Sequence, residues 1–439
     1  MLISVIVPVY NGGNDFVRCL ADLKNSSLCP HQVLIVDDGS ADGSSHLARA
    51  AGYTVLSTPK QRSGPAIARN IGAQAATGDI LFFLDADVCV HVDSVARVHA
   101  AFSQDPALDA LIGSYDDKPA DPDFLSQYKN LMHAYVHQSA HQQASTFWSG
   151  CGAVRRDVFL AHSGFDESYR RPAIEDIELG FRMSAANRKM ELDKDLRVKH
   201  LKRWTFWKLL RTDVMDRGIP WTELILRDRS MPNDLNLQIS QRVSVALAFL
   251  SFFVALGATV YFKGYALTPL FGLLLFFMAR YWVGNEDSPP SRFVFMTIGL
   301  AALIALAYAY HMLSIVPPIV LGYALLFLRH RYSFASKSHQ RFTYFAFIVY
   351  CLLTTLFILT YLPGNILTLT LALAVIAIVI LNNEFYVFLA AKRGKAFALA
   401  AVPFHLLFHF YNGVSFSIGL LRHSWRTLTS RKRGVIKSC

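Results

Sequence analysis

Charge is scarce in this chain. Asp, Glu, Lys and Arg make up 17% of its 439 residues, against roughly 25% in soluble domains. That excludes a disordered or nucleic-acid-coating chain and weighs against a wholly soluble one. Acidic residues are the scarcer sign, 32 against 43 basic ones, for a formal charge of +11. Such a charge suits nucleic acid or a membrane surface, so the placement of the basic residues decides. Cysteine is rarer still. The six (Cys19, Cys29, Cys89, Cys151, Cys351, Cys439) form no CxxC pair and have no histidine-rich partner spacing. A structural zinc site and a disulfide framework are therefore not expected, which fits a reducing compartment for the first half. Residues 1–10 carry no basic n-region and no small-residue cleavage site, and their apolar run stops at Asn11. That run is too short to cross a bilayer and reads as a buried strand.

What the chain has in abundance is apolar length. Hydrophobic residues reach 53%, mean hydropathy is +0.30, and the length suits about three domains. Composition turns near residue 240. Before it, short apolar runs alternate with polar, periodic stretches; beyond it come apolar runs at 243–262, 266–283, 293–328, 342–362, 366–381 and 396–421. Most approach the ~20 residues that cross ~30 Å of hydrocarbon, so about five or six membrane spans are expected. The 293–328 run holds Pro317 and Pro318 and reads as one kinked span or a hairpin.

Basic residues then fall in three clusters: Arg329, Arg331, Lys337 and Arg341; Lys392, Arg393 and Lys395; and Arg422, Arg426, Arg431, Lys432, Arg433 and Lys437. Positive loops stay cytosolic, which places all three there. Residues 396–421 are basic at both flanks and contain His405, His409, Tyr411, Asn412 and Gly413, so they read as a re-entrant or hairpin element. Residues 204–230 hold Trp204, Trp207 and Trp221, with Lys208, Arg211, Arg217, Arg227 and Arg229 interleaved among Leu209, Leu210, Val214, Leu224 and Leu226. Two short amphipathic helices, broken at Gly218 and Pro220, would lie flat with tryptophans at headgroup depth. An ordinary surface helix packed on its own domain is the competing reading.

The first half runs strand 3–10, helix 15–24, strand 32–36, helix 43–50, strand 53–57, helix 65–76, strand 80–84. Apolar strands separated by helices imply a parallel sheet covered on both faces, with ligands beyond the strands' carboxyl ends. Tyr10-Asn11, Asp37-Asp38-Gly39-Ser40 and Asp85-Ala86-Asp87 stand at those ends. On an extended segment Asp85 and Asp87 share one face. Carboxylates so close repel unless a cation lies between them or one takes a proton. Oxygen ligands suit Mg²⁺ or Mn²⁺, which would in turn hold a diphosphate. Arg69, on the preceding helix, stands equally as a phosphate partner and as a helix-surface arginine.

Taken in order, Ile6-Val7-Pro8-Val9-Tyr10-Asn11, the segment from Val36 to Ser44, Ala68-Arg69-Asn70-Ile71-Gly72, Thr77-Gly78-Asp79 and Asp85-Ala86-Asp87 resemble the family 2 glycosyltransferases of GT-A fold, over roughly the first half of the chain. The resemblance implies an α/β, Rossmann-like GT-A domain that binds a nucleotide-sugar, here followed by an all-α transmembrane domain. It implies inverting transfer from a nucleotide-diphosphate sugar, a UDP-sugar being favoured. Pro8, Tyr10, Asn11, Asp37, Asp38, Arg69, Asp85 and Ala86 would line the donor, with Asp37 or Asp38 on the base or ribose. Asp87, Asp85 and His200 would hold the Mg²⁺ or Mn²⁺.

The stretch from Ile174 to Arg182 looks like the family's ED motif, whose aspartate is the general base, here Asp176 with Glu175 beside it. Inversion needs an acceptor hydroxyl deprotonated as it attacks, while the metal stabilises the departing diphosphate. Otherwise Glu175 and Asp176 favour a helix N-terminus and Glu178 pairs with Arg182. His200-Leu201-Lys202-Arg203-Trp204 resembles the Q/R-x-x-R-W element of membrane-embedded members that make polysaccharides or glycolipids, with His in the first position. His200 stands equally as metal ligand, as variant of that element and as a core or headgroup-facing histidine. The departure weighs against processive synthesis more than against transfer. Gly150, Arg203 and Trp204 are placed on the acceptor side; Gly150, Gly152 and Gly164 permit close backbone approach.

The expected organisation is a cytosolic catalytic domain over 1–203, interfacial helices over 204–240, spans over 241–421 and a basic cytosolic tail over 422–439. Such a protein is integral to a plasma or inner membrane, and takes a nucleotide-sugar donor and a lipid or lipid-linked acceptor but no nucleic acid. A processive synthase would need a polar channel lining, and the spans offer little beyond His311, His405, His409 and Asn412. A non-catalytic nucleotide-sensing transporter or scaffold would want charges within the spans, where Arg280 alone is evident.

Overall fold

The computed structural model describes residues 1–261 and 365–436. Four strands, β1 (Ile3–Val9), β2 (Gln32–Asp37), β3 (Thr54–Ser57) and β4 (Ile80–Leu84), pair in parallel in the order β3-β2-β1-β4. Helices α1 (Gly13–Lys24), α2 (Ser44–Ala50) and α3 (Pro65–Ala75) make the crossovers. Because successive side chains point to opposite faces, each apolar strand feeds two cores. Val5, Val7, Val9, Phe82 and Leu84 join Phe16 and Phe102 on one side. Ile6, Leu81 and Phe83 join Phe147, Phe159 and Phe165 on the other, the last two rings lying 5.3 and 5.2 Å from Phe83.

The parallel expectation holds for these four strands, and the rest of the sheet, which the sequence pattern did not reach, is mixed. It comprises β5 (Val88–Val90), β6 (Ala110–Tyr115), β7 (Cys151–Arg155) and β8 (Met190–His200), with helices α4 (Ser94–Gln104), α5 (Phe124–Ser139), α6 (Arg156–Ala161) and α7 (Glu175–Ala185) between or beside them. The full order is β3-β2-β1-β4-β7-β6-β8-β5. β7 runs antiparallel to β4 and β6, and β5 antiparallel to β8. An apolar run signals a buried strand but carries no information on its direction. Two registers position the site: Leu84 opposite Cys151, and Val88 opposite His200. Asp85, Ala86 and Asp87 form the turn from β4 into β5 and are not an extended segment; Val88 N donates to Asp85 O across it.

Residues 204–230 also differ from expectation. α8 (Phe206–Arg211), a π-turn stretch (Thr212–Gly218) and α9 (Ile219–Asp228) run on without a break, Gly218 keeping helical angles of −61° and −48°. The wide π turn precedes Pro220 and absorbs its missing N–H, so neither residue ends the helix. Trp204 is 1% exposed, and Leu209, Ile219, Leu224 and Ile225 are buried with it, which takes Trp204 away from any headgroup layer.

Four further helices are described: α10 (Ile239–Tyr261), α11 (Asn365–Leu381), α12 (Asn383–Arg393) and α13 (Lys395–Ile436). The hairpin expected over 396–421 is instead part of α13, which is unbroken through Pro403. Its amino-terminal basic flank is not a free loop. Lys392 meets Asp117 at 2.5 Å and Arg393 Nε donates to Gln127 Oε1 at 2.7 Å. The expected spans 266–283, 293–328 and 342–362, with Arg280, His311 and the basic cluster at 329–341, lie outside the described residues.

Two compact units result. The first comprises 1–242, 384–395 and 411–439, the second 243–383 and 396–410. In the second, Asn382 Nδ2 donates to Ser244 Oγ at 2.9 Å, and the Phe252 and Phe410 rings meet at 4.5 Å, tilted by 47°. Among the described residues, Lys395–Thr429 is the one helix long and apolar enough to cross a membrane, and a pair bent by 66°, Leu373–Leu381 with Asn383–Arg393, passes the same test together.

Candidate active site

The β5–β8 register sets His200 beside the turn that carries Asp87. Leu201 N donates to Asp87 O at 2.9 Å, and His200 Nε2 lies 3.7 Å from Asp87 Oδ2. His200 is buried, its ring stacked on Tyr115 at 4.4 Å. From α5, Asn130 Oδ1 meets both His200 Nδ1 at 2.7 Å and Trp204 Nε1 at 3.0 Å. An indole N–H only donates, so this Asn130 atom is the acceptor and His200 Nδ1 donates to it. In the neutral ring, Nε2 then turns a bare lone pair toward the Asp87 carboxylate. Two acceptors face each other across a gap that a cation would reconcile, with the second imidazole nitrogen hydrogen-bonded as in metal sites generally. The pair therefore fits a divalent ion. Among the described residues no three His, Cys, Asp or Glu form a metal-ligand cluster. Burial pushes the Asp87 carboxyl up; with no ion between them, a His200 ring that donates and carries charge, and then Lys202, would outweigh it and hold the carboxyl well below the usual carboxylate range.

Asp85 belongs to a second constellation. Arg69, 4% exposed on α3, reaches Asp85 Oδ1 at 2.6 Å with one nitrogen and Glu175 Oε1 at 2.8 Å with another. It is not the helix-surface arginine of the competing reading: the guanidinium pairs with two carboxylates inside the fold. Burial raises the Glu175 carboxyl, Arg69 opposes that and Asp176 adds to it, leaving it above its ordinary value. Glu175 is thus a buried counter-ion in the first turn of α7. Its neighbour Asp176 is only partly buried; Asp176 Oδ2 accepts from Ser149 N and Ser149 Oγ, both at 3.0 Å. The next residue, Gly150, accepts from Asp85 N through its carbonyl at 3.3 Å. A Cβ on Gly150 would meet the Trp148 ring at 2.7 Å, so a larger residue there would have to displace that ring.

At the β2 end the two aspartates divide. Asp38 accepts from Ser63 N at 2.7 Å, Thr58 Oγ1 at 2.8 Å and Gly64 N at 2.9 Å, so it organises the 58–64 loop. Asp37 Oδ1 takes Ser40 N at 3.0 Å. Pro8 lies within β1, Ala86 packs on the core beneath the turn, and Asn11, at φ 49°, accepts from Ala41 N at 2.8 Å. Tyr10 has a partner that sequence reasoning missed: Arg62 lies over its ring at 5.1 Å and donates from Nε to its hydroxyl at 2.6 Å. Arg203 is exposed and 3.6 Å from Asp121, while Trp204 is interior. Asn130, Tyr115 and Ser149 were missed as well. The first stands on α5, whose buried residues include Gln127, Lys129 and Asn130, and no motif marks it. An open cavity of about 480 Å³, lined by Gln104, Leu108, Leu111, Glu191, Leu192 and Lys194 among others, contains none of these site residues.

Residues 4–162 match the model of glycosyl transferase family 2. A glycosyltransferase of Escherichia coli K12, YibD, is 38% identical over 88 residues, 19% of this chain and 26% of that protein. The O-antigen chain rhamnosyltransferase RfbN of Salmonella typhimurium is 24% identical over 237 residues, 51% of this chain and 75% of that one. The chain spans 26%, 39% and 33% of the length of three of the curated relatives it matches. Among solved structures, the mannosyltransferase PcManGT of Pyrobaculum calidifontis, in complex with GDP-Man and Mn²⁺, aligns at a TM-score of 0.39 and 16% identity, over 87% of this chain and 86% of that one. The family match, the glycosyltransferase relatives and the strand order together support a family 2 glycosyltransferase domain of GT-A-like α/β fold in the first part of the chain.

Proposed function

We propose that the protein is a membrane-integrated, inverting glycosyltransferase. It moves a sugar from a nucleotide-diphosphate donor, a UDP-sugar being favoured, to a lipid or lipid-linked acceptor at the cytosolic membrane face. The observation that carries this reading is the meeting of four carboxylates from two distant segments: Asp85 through Arg69 to Glu175, Asp176 through Ser149 and Gly150 to Asp85, and Asp87 beside His200. Asp176, held by Ser149, would take the proton of the acceptor hydroxyl as it attacks the anomeric carbon. Asp87 and His200 would hold Mg²⁺ or Mn²⁺, which offsets the charge that grows on a departing diphosphate. Tyr10 and Arg62 would flank the base, and Asp37 the ribose; Asp38 acts on its own loop.

Membrane integration is supported by the length and composition of α13 and by large apolar residues standing exposed on helices of the second unit, Leu250, Leu373, Ile380 and Leu399 among them. The test is the purified full chain in lipid, given Mn²⁺ and a panel of nucleotide sugars, with products read by mass spectrometry. A glycolipid product is expected. A long water-soluble polymer would replace the reading with a synthase, and nucleotide binding without turnover would replace it with a sensor.

A further inference from the structure

Lys129 and Asn130 are consecutive on α5 and bind in different directions. Asn130 holds His200 and Trp204 on the side of Asp87. Lys129, with a side chain 3% exposed, sets its ammonium 2.6 Å from Asp213 Oδ2, in the π-turn stretch. The Tyr411 hydroxyl, on α13, donates to that same oxygen at 2.6 Å. A buried ammonium stays in place only while its counter-charge does, and removing one partner of such a pair is strongly unfavourable. The counter-charge is itself held by backbone-close helix packing. A Cβ on Gly218 would come within 2.6 Å of Ser415 Cβ, and one on Gly419 within 2.6 Å of Thr222 Cβ, so α13 and the 206–228 helix have one register available.

We propose that Asp213 and Tyr411 are positioning residues for the metal side of the site: by fixing Lys129 they fix α5, and with it the Asn130 oxygen that orients His200 toward Asp87. The carboxyl-terminal helix is then part of what makes the catalytic domain competent. This rests on reading Asp87 and His200 as ligands of a divalent ion.

The test uses the full chain in detergent, with Mn²⁺ affinity read from the electron paramagnetic resonance of free Mn²⁺. Loss of an outer partner of a metal-ligating histidine costs about ten- to a hundredfold in affinity. Tyr411→Phe, which removes one oxygen, is expected near the lower figure and Asp213→Asn near the upper. Arg426→Ala, which breaks an exposed pair with Glu223 between the same two helices, is expected to bind Mn²⁺ as the wild type does. Folded Tyr411→Phe with wild-type affinity overturns the proposal, as does an equal loss in Arg426→Ala, which would mean general loosening. Should the wild type bind no Mn²⁺, the metal reading fails on its own account. The positioning claim is then decided by the emission of Trp204, isolated by difference from Trp204→Phe. A shift in Tyr411→Phe supports it and an unchanged spectrum overturns it, because Trp204 shares the Asn130 oxygen with His200.

Discussion

At the end of β2, the Asp38 carboxylate is gripped by the backbone N–H groups of Ser63 and Gly64 and by a threonine hydroxyl. At the end of β4, two strands later in the chain, Asp85 is gripped by a buried guanidinium that it shares with Glu175, and Asp87 faces an imidazole. Backbone donors are neutral, fixed by the fold and indifferent to pH. Charged and titratable partners make the second region a coupled system, in which moving one group unbalances the next. The parallel half of the sheet therefore suits static recognition of a nucleotide, and the mixed half suits chemistry in which charge is created and moved.

The largest expected effect falls on the mixed half. Asp87→Ala should abolish Mn²⁺-dependent donor hydrolysis and transfer, measured by release of nucleotide diphosphate. Residual metal-stimulated turnover would break the assignment of that region to the metal. Asp176→Asn should keep donor affinity while transfer falls by about 10²–10⁴, the usual worth of a general base. Turnover near the wild-type rate would remove the base assignment and leave Asp176 as a partner of Ser149 alone.

The same contrast explains what was legible in the sequence. Every strand of the parallel half is a short apolar run bounded by turn residues, so β1, β2, β3 and β4 can be placed from pattern alone; Asp37 and Asp38 follow as carboxyl-end residues, and so do Asp85 and Asp87 on the turn by which the chain passes into the mixed half. The mixed half is built from pairings that no local pattern encodes. His200 stands beside Asp87 because of a strand register between segments 112 residues apart. Asn130 reaches it from a helix whose polar residues point inward. Ser149 has no motif at all; only the fold shows that its hydroxyl and amide face Asp176. Arg69 shows the limit from the other side. Its place after β3 was legible, yet its role depended on where Glu175 lands.

Stability should separate the regions next. Arg69→Met leaves Glu175 buried without its counter-charge and frees Asp85, and breaking a buried pair in this way costs about 3–5 kcal/mol. Asp38→Ala leaves backbone donors unpaired at one loop, for about 1–3 kcal/mol. Thermal or denaturant unfolding of the two variants checks the order. A costlier Asp38 variant would mean that backbone capture, not charge pairing, is the stronger fastening.

The smallest effect is a difference in acid sensitivity. His137 lies beside Trp148 and Tyr115, where burial, with Arg217 adding to it, pushes its imidazole down to about 4; the His31 and His46 of the parallel half are exposed. With the folded value below the ordinary 6.5, the native state holds this ring neutral while the unfolded chain takes up a proton. Its contribution is therefore fully present above about pH 6.5 and drains away as pH falls toward 4. The melting temperature should drop over that window, and His137→Gln, which cannot take the proton, should flatten part of the drop while leaving the neutral-pH transition within a few degrees. His133 is pushed down as well, so some slope must survive in the variant. A variant curve superimposable on the wild type would move the acid sensitivity out of the ring stack around Tyr115 and erase this difference between the two halves of the sheet.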